Sequence, residues 1–312
     1  MPDLITILGP TATGKTQLAV RLAHLLEGEI ISADSRQVYK GMDIGTGKDL
    51  ADYRIKETTI PHHLIDIAEP GSEYNVFSFQ KDFLQVYPQI KARHHLPILC
   101  GGTGLYLEAI LGGYRLQEVP KNNSLRATLE SLTQDELVLK LRTYGPLHNT
   151  TDTTDRERTI RAIEIKQYEQ ENPVKEKLPA FHSVNIGIDF DRSQLRKRIT
   201  QRLQARINQG LLKEVETLLT QGITPEQLMF YGLEYRWVTR FIIGEIEYGE
   251  MFAGLNTAIH QFAKRQVTWF RRMEKKGIRI HWIDGSLSME DKVAEALKYI
   301  HPEKLLRRSP LT

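Results

Sequence analysis

Residues 9–16 read Gly9-Pro10-Thr11-Ala12-Thr13-Gly14-Lys15-Thr16, which matches the consensus of a phosphate-binding loop, or P-loop. The apolar run Leu4–Leu8 precedes the loop and predicts a buried strand, and leucines at helical spacing follow it. In such a unit the glycines let the backbone fold around a phosphate, and the helix N-terminus directs N–H groups and partial positive charge at it. The stretch therefore predicts an α/β fold that binds a diphosphate or a larger group, and it does not single out ATP.

Three side chains near this loop are candidates for chemistry. Lys15 adds a full positive charge to the phosphate site, and Thr16 is placed to hold a Mg²⁺ ion. A second predicted strand, Glu29–Ala33, ends at Asp34, and in an open parallel sheet ligands bind beyond the carboxyl ends of the strands. Three roles for Asp34 stay open at this point: to hold Mg²⁺ through water, to act as a general base, or to cap the following turn.

The order of predicted elements indicates a core with an insertion. Strands alternate with helices over residues 1–115, which predicts a mostly parallel sheet flanked by helices. Residues 116–182 are polar with a helical pattern and predict a helical insertion domain, and residues 183–300 return to the core. We expect residues 301–312 to form a flexible tail. Further strands are predicted at 63–67, 96–100, 184–190 and 278–283, and long helices at 192–209, 211–221 and 249–276.

The composition limits the class of protein but does not indicate its function. The chain has 312 residues with 40% hydrophobic and 26% charged residues, and its formal net charge is +3. These are ordinary values for a globular protein of one or two domains. The single cysteine, Cys100, excludes an internal disulfide and a cysteine-based zinc cluster and fits a reducing compartment. Because neither a signal peptide nor an apolar stretch near the ~20 residues that span a bilayer is evident, we expect a cytoplasmic protein without a membrane contact.

A predicted helix near the C-terminus carries a strongly basic face. Between residues 263 and 276 there are six cations against the single Glu274. We assign a core-facing apolar stripe to Ile259, Phe262, Ala263, Val267 and Phe270. The cations are suited to binding RNA phosphates, and Trp269 is suited to stacking on an unstacked base. A basic face that is only solvated would have the same sequence pattern. The residues expected to contact RNA here are Lys264, Arg265, Trp269 and Arg271. Further basic segments are Arg156–Arg161 and the helix with Arg196, Lys197, Arg198, Arg202 and Arg206.

Taken together, these motifs resemble the tRNA dimethylallyltransferase (tRNA isopentenyltransferase) family. The matching stretches keep the family's order over residues 4–285, and the two most specific are Asp34–Thr46 and Lys264–Arg271. The sequence contains no cysteine-containing zinc extension, which favours the bacterial form. The other matching stretches are 9–16, 61–66, 101–106 and 155–164.

The resemblance implies transfer of a dimethylallyl group from dimethylallyl diphosphate to N6 of adenosine 37 in the tRNA anticodon loop. It implies that Gly9–Thr16 bind the diphosphate, that Asp34 is the base, and that the RNA is held between core and insertion. In chemical terms, Lys15 and a Mg²⁺ ion on Thr16 would stabilise the leaving group. We expect the protein to act as a monomer. The tRNA contacts implied by the resemblance are Asp34, Ser35, Arg36, Gln37, Thr103, Arg126, Glu157, Arg158, Thr159, Ile160 and Arg161.

One segment departs from the family pattern, and three other functions compete with this interpretation. Glu234-Tyr235-Arg236-Trp237 stands where many members read Gly-Tyr-Lys-Glu, and Tyr231 replaces a polar or basic residue, so we expect local contacts or substrate preference to differ here. A small-molecule kinase would explain the P-loop but not the basic helix. A non-catalytic RNA-binding protein would have no use for both Lys15 and Asp34. A prenyltransferase acting on free AMP or ATP would not need a large basic surface.

Overall fold

The described residues form two units, each with a hydrophobic core of its own. The structure is a computed structural model and describes residues 1–145, 153, 155–173, 179 and 181–301. The larger unit consists of Met1–Tyr114 and the described part of Ala180–Thr312, and the smaller consists of the described part of Arg115–Pro179. The tail predicted for 301–312 lies, apart from His301, outside the described residues.

Strands and helices alternate over most of residues 1–114, as the sequence predicts, and five consecutive helices follow the strand Ser183–Asp189. The strands are β1 (Leu4–Leu8), β2 (Gly28–Ser32), β3 (Arg54–Ile55), β4 (Thr58–Thr59), β5 (His62–His63), β6 (Leu96–Gly101), β7 (Ser183–Asp189) and β8 (His281–Asp284). The helices are α1 (Lys15–Leu26), α2 (Val76–Ala92), α3 (Gly104–Leu111), α4 (Asn123–Glu130), α5 (Gln134–Thr143), α6 (Arg156–Glu171), α7 (Arg192–Asn208), α8 (Leu211–Thr220), α9 (Pro225–Phe230), α10 (Leu233–Ile242), α11 (Tyr248–Lys275) and α12 (Met289–Ile300). A 3₁₀ turn spans Leu50–Tyr53.

A parallel six-stranded sheet with the order β5-β2-β6-β1-β7-β8 organises the larger unit. The central strand β1 is buried along its whole length, which explains why Leu4–Leu8 is a nearly continuous apolar run rather than an alternating one. Strands β3 and β4 form a separate antiparallel hairpin. The fold is thus the mostly parallel α/β sheet that the sequence predicts.

Helices cover both faces of this sheet. On one face, α1 packs against β1, β2 and β6, and α12 packs against β7 and β8, through residues such as Leu18 and Ile300. On the other, α2, α3 and α11 contribute Phe79, Leu107 and Phe270 to a second cluster. Helices α7 to α11 share a third cluster around Tyr235 and Leu255. Because strands β2, β6, β1 and β7 are neighbours, the loops after their carboxyl ends lie side by side.

Two predicted strands end or begin at different residues in the structure. The strand predicted at 63–67 is confined to His62–His63, since Leu64 and Asp66 have φ values of 61° and 55° and leave the extended conformation. The strand predicted at 278–283 begins at His281, because the Ile278 N–H bonds to the carbonyl of Met273 and closes the end of α11.

The smaller unit consists of helices in its described part and lies in the stretch predicted as a helical insertion. Helices α4, α5 and α6 enclose a core of Leu129, Leu137, Leu141, Ile160 and Ile163. Thr133 begins α5 with a capping box that it shares with Glu136. Among the described residues of the whole chain, no helix is long and apolar enough to cross a membrane.

Candidate active site

The P-loop connects β1 to α1 in a tightly determined conformation. Gly9 has a φ of 152°, and a Cβ there would lie 2.7 Å from the carbonyl oxygen of Ile188 on the adjacent strand β7. Only glycine therefore fits at this position without moving the sheet. The Thr13 hydroxyl donates to the carbonyl of Pro10 at 2.9 Å and closes the loop on itself. The loop is thus shaped before any ligand binds.

Lys15 lies in this loop as a partly desolvated cation. Its Nζ donates to the carbonyl of Pro10 at 2.7 Å. The pKa of Lys15 is lowered to about 8, chiefly by burial and in part by the positive charge of Arg202, whereas Cys100 and Asp34 act in the opposite direction. An anion held by the loop would favour the charged form of Lys15, so phosphate binding and protonation of this lysine support each other.

Asp34 follows β2 and is fixed by the turn that it begins. Its Oδ1 accepts from the Arg36 N–H at 2.9 Å, which is the turn-capping interaction considered for this residue. Next to it, the Ser35 N–H donates to the Thr103 hydroxyl at 3.0 Å, and the Thr103 N–H donates to the Ala33 carbonyl at 3.2 Å. These contacts join the ends of β2 and β6 and hold Asp34 in one orientation. Capping uses only one carboxylate oxygen, so it does not compete with a role as base.

Three arginines of α7 line up on the P-loop side of that helix at intervals of four residues. Arg198 Nε donates to the Ala12 carbonyl at 2.9 Å, and Arg202 lies 3.4 Å from the Thr11 hydroxyl. Arg206 continues the row. The sequence analysis treated this helix as a basic segment for RNA, whereas the structure directs Arg198 and Arg202 at the diphosphate loop. The i, i+4, i+8 spacing of the arginines was the signal that could have indicated one shared face.

Gln266 of α11 is a site residue that the sequence analysis did not identify. It is 6% exposed, its Oε1 accepts from the Thr11 N–H at 2.9 Å, and its Nε2 donates to the Gly102 carbonyl at 2.8 Å. One side chain therefore connects α11, the P-loop and the loop after β6. Its position among lysines and arginines gave no indication of burial.

The basic helix α11 presents fewer free cations than its sequence indicates. Arg272 and Lys276 lie 2.8 Å and 2.5 Å from the carboxylate of Glu108, which is buried on α3. Glu108 therefore neutralises part of the positive charge of residues 263–276, in addition to Glu274. Lys264, Arg265 and Arg271 are exposed.

Two aromatic side chains of α11 differ from the expectation. Phe262 was assigned to the core-facing stripe and is instead 39% exposed. Trp269 packs against Gly104, where a Cβ would lie 2.4 Å from the indole, and the Arg272 guanidinium lies 4.1 Å from its ring centroid. The face of Trp269 beneath Arg272 is therefore already occupied.

In the smaller unit, the residues implied as RNA contacts form an ion-pair network. Arg126 pairs with Glu164 at 2.8 Å and with Glu157, and Arg161 lies 3.1 Å from the same Glu164. Burial works against the charged form of Glu164, but the hydrogen bonds from Arg126 and its other donors outweigh it and lower its pKa to about 2. The side chains of Thr159 and Ile160 are buried, whereas that of Arg158 is exposed.

The segment that departs from the family pattern lies in the larger unit and contacts the loops around residues 43–45 and Gly71. The Tyr235 hydroxyl donates at 2.7 Å to Glu214, whose carboxylate also accepts three backbone N–H groups from Asp43, Ile44 and Gly45. The Tyr231 hydroxyl accepts from the Gly71 N–H. Lys48 is buried and pairs with Asp43 and Asp66. These contacts anchor the 43–48 loop.

The residues present fit a Mg²⁺ ion. Thr16 opens α1 directly after Lys15, and its hydroxyl makes no hydrogen bond with the residues that the structure describes. Mg²⁺ prefers oxygen ligands, and it is usually held by one or two protein oxygens together with substrate phosphates and water. Among the described residues there is no group of three or more His, Cys, Asp and Glu able to hold a metal alone. Thr16 with a bound diphosphate, and Asp34 through water, would complete such a site.

These features define a P-loop protein whose loop is bordered by an aspartate and a row of arginines. The family model described as IPP transferase matches residues 37–273, and the model described as isopentenyl transferase matches residues 2–59. The tRNA dimethylallyltransferase 2 of Bacteroides fragilis is 56% identical over 93% of this chain and 95% of its own. That of Porphyromonas gingivalis is 57% identical over 95% and 98%.

Solved structures agree with these matches. The full-length tRNA isopentenylpyrophosphate transferase of Bacillus halodurans superimposes with a TM-score of 0.69 at 32% identity, covering 99% of this chain and all of that one. A eukaryotic dimethylallyltransferase acting on tRNA gives a TM-score of 0.77 at 24% identity over 99% of this chain and 81% of that one, which shows the shared fold. The chain belongs to the tRNA isopentenyltransferase family, bacterial type, and is therefore a prenyltransferase.

Proposed function

We propose that this protein transfers a dimethylallyl group from dimethylallyl diphosphate to N6 of adenosine 37 in the tRNA anticodon loop, releasing diphosphate. The observation that carries the proposal is that the P-loop, which contains Lys15, and Asp34 follow the carboxyl ends of two strands of one parallel sheet, β1 and β2, with only β6 between them. A diphosphate leaving group needs the P-loop with its positively charged lysine, and an amine nucleophile needs Asp34 to accept its proton. The relatives named above carry tRNA and dimethylallyl in their names, which supports both substrates.

The residues divide the reaction into two parts. An exocyclic adenine amine is a weak nucleophile because its lone pair is delocalised into the ring, so the allylic carbon must become electrophilic as the C–O bond to the diphosphate breaks. The P-loop amides, Lys15 and Arg202 stabilise the negative charge that develops on the departing diphosphate. Asp34 accepts the N6 proton as the C–N bond forms.

Mg²⁺ on Thr16 would add Lewis-acid stabilisation of the diphosphate when it is bound. The adenosine has to leave its stack to reach the site, which costs a few kcal/mol and is least costly in a single-stranded loop. We place the implied contacts at Ser35–Gln37 and Thr103 in the larger unit and at Arg126 and Glu157–Arg161 in the smaller one. We further propose that the enzyme acts as a cytoplasmic monomer.

One assay tests the proposal directly. The protein is incubated with dimethylallyl diphosphate and unmodified tRNA, and nucleosides from the digested tRNA are analysed by mass spectrometry. We expect N6-dimethylallyladenosine at position 37, formed without ATP. Prenylation of free AMP in preference to tRNA, or a requirement for ATP hydrolysis, would overturn the proposal and favour the competing functions.

A further inference from the structure

Arg206 is a buried cation to which the described part of the chain offers no hydrogen bond. It is 8% exposed, its Nε is buried without a partner, and its guanidinium donates to none of the residues that the structure describes. The carboxylate that it faces is Glu234, but the closest N–O distance is 3.6 Å, which is longer than a hydrogen bond. A buried donor without an acceptor costs free energy, so this guanidinium is available for an acceptor that the described residues do not supply.

The positions of Arg206 and Glu234 indicate which substrate binds beside them. A Cβ on Gly47 would lie 1.6 Å from the Arg206 guanidinium, so the cation rests directly on this backbone, whose carbonyl accepts from Gln37 Nε2 at 3.0 Å. A Cβ on Gly232 would lie 3.8 Å from Arg36 Nε and 4.0 Å from Glu234 Oε2, so Arg36 and Glu234 both border Gly232. Arg206 and Glu234 therefore both border the Asp34–Gln37 segment rather than the P-loop itself.

The chemistry of the pair restricts the ligand. A guanidinium only donates hydrogen bonds and a carboxylate only accepts them. An anion would be repelled by Glu234, a cation would be repelled by Arg206, and an apolar prenyl chain would satisfy neither. A neutral group with an acceptor beside a donor satisfies both, and the polar edges of RNA bases have this pattern.

We propose that Arg206 and Glu234 bind the polar edge of an RNA base next to Asp34 and determine which acceptor RNA is used. Arg206 donates to a ring nitrogen or carbonyl of the base, and Glu234 accepts from the neighbouring N–H. This inference rests on the proposed function and specifies the acceptor side of the same site. It also gives a role to Glu234, at which the sequence departs from the pattern of many relatives.

The test distinguishes binding of the acceptor RNA from binding of the prenyl donor. Arg206→Met and Glu234→Gln are compared with the wild type in steady-state transfer to an anticodon stem-loop RNA, with Lys213→Met on the exposed face of α8 as the control. Loss of one charged hydrogen bond should raise the KM for RNA about tenfold to a hundredfold. We expect the KM for dimethylallyl diphosphate to stay within twofold and the control to match the wild type.

Base analogues identify the contacted edge. Stem-loops that lack one polar atom of a base at or beside the reactive adenosine are compared on each enzyme. For one analogue, wild-type transfer should fall to the level of Arg206→Met, and the variant should lose nothing more, because the two changes remove the same contact. Unchanged thermal unfolding of the isosteric Glu234→Gln excludes misfolding as the cause.

Two results would overturn the inference: variants that match the wild type on every RNA, or an effect confined to the KM for dimethylallyl diphosphate, which would assign the pair to the donor. Failure of the proposed function would look different, since the wild-type protein would then not prenylate tRNA at all.

Discussion

At the scale of single residues, Asp34 has one carboxylate oxygen engaged by the Arg36 N–H and a second that makes no hydrogen bond with the described residues. Asn keeps the shape and the turn but cannot accept a proton at neutral pH. We predict that Asp34→Asn binds both substrates almost normally while single-turnover transfer falls by roughly 10²–10⁴. A Mg²⁺ titration at saturating tRNA is the control, because complete rescue by Mg²⁺ would show a metal-binding role instead.

The lowered pKa of Lys15 predicts that the affinity for dimethylallyl diphosphate depends on pH. This pKa is lowered to about 8, chiefly by burial, and a bound diphosphate raises it again. Below pH 8 the lysine is charged before and after binding, whereas above pH 8 binding must take up a proton. The affinity for dimethylallyl diphosphate should therefore weaken as the pH rises through 8, by up to about tenfold per pH unit. Calorimetric titration from pH 7 to 9.5 measures this.

Two variants control for other groups that titrate in that range. Lys15→Arg keeps its charge at all these pH values and should show a flat profile. Lys15→Ala should lose about 3 kcal/mol or more of transition-state stabilisation at pH 7. The same slope in Lys15→Arg as in the wild type would mean that a different group titrates.

At the scale of elements, α11 combines a buried connection to the P-loop with an exposed basic face. Gln266 holds the Thr11 N–H and the Gly102 carbonyl. We predict that Gln266→Leu lowers kcat/KM for dimethylallyl diphosphate by about tenfold or more, because two buried backbone groups lose their partner. Gln261→Leu, on an exposed position of the same helix, is the matched control. Equal loss in both variants would contradict a specific role for Gln266.

The exposed cations of α11 should act on RNA affinity alone. Replacing Lys264 and Arg271 with Ala should weaken tRNA binding and reduce the slope of log Kd against log salt by about one to two units. Filter binding over a salt series measures both quantities. Arg272→Ala is the informative comparison, because Arg272 pairs with buried Glu108 and its loss should mainly lower the melting temperature. An unchanged salt slope in the double variant would mean that this face is only solvated.

At the scale of the whole molecule, a buried carboxylate stabilises the sheet edge that carries β2. Glu29 is 2% exposed and binds Arg93, His63 and His95. The hydrogen bonds from Arg93 are the largest cause that lowers the pKa of Glu29 to about 2. A carboxyl group whose pKa is lower in the folded than in the unfolded state stabilises the fold above its unfolded pKa, and this contribution disappears as the pH falls from about 4.5 towards 2.

Glu29→Gln should therefore lower the free energy of unfolding by on the order of 3 kcal/mol at pH 7. The difference from the wild type should shrink steadily below pH 4.5. Urea unfolding at pH 7, 4 and 3 measures it, with exposed Glu57→Gln as the control. A difference that stays constant with pH would point to packing rather than charge.

Local sequence was sufficient to predict the α/β class, the P-loop and the basic helix. Each depends on residues within one continuous stretch: β1 is an apolar run followed by the glycines of the loop, and α11 has helical periodicity over its whole length. The expectation that Asp34 lies at the carboxyl end of a strand also came from the sequence, because ligands bind beyond the strand ends of an open parallel sheet. The bounds of two predicted strands were wrong. Residues with a left-handed backbone conformation end the first strand, and the cap of α11 takes up the beginning of the second.

The partners of the charged side chains were decided by the tertiary structure. Glu108 neutralises Arg272 and Lys276 from a position more than 160 residues earlier in the chain, and Gln266 reaches the P-loop across 255 residues. Arg206 and Glu234 likewise meet only because α7 and α10 fold against the same loop. Charge and hydrogen bonding act over a few ångströms in space, whereas periodicity records only neighbours along the chain, so the sequence determined where the cations are and the fold decided which of them remain free for a substrate.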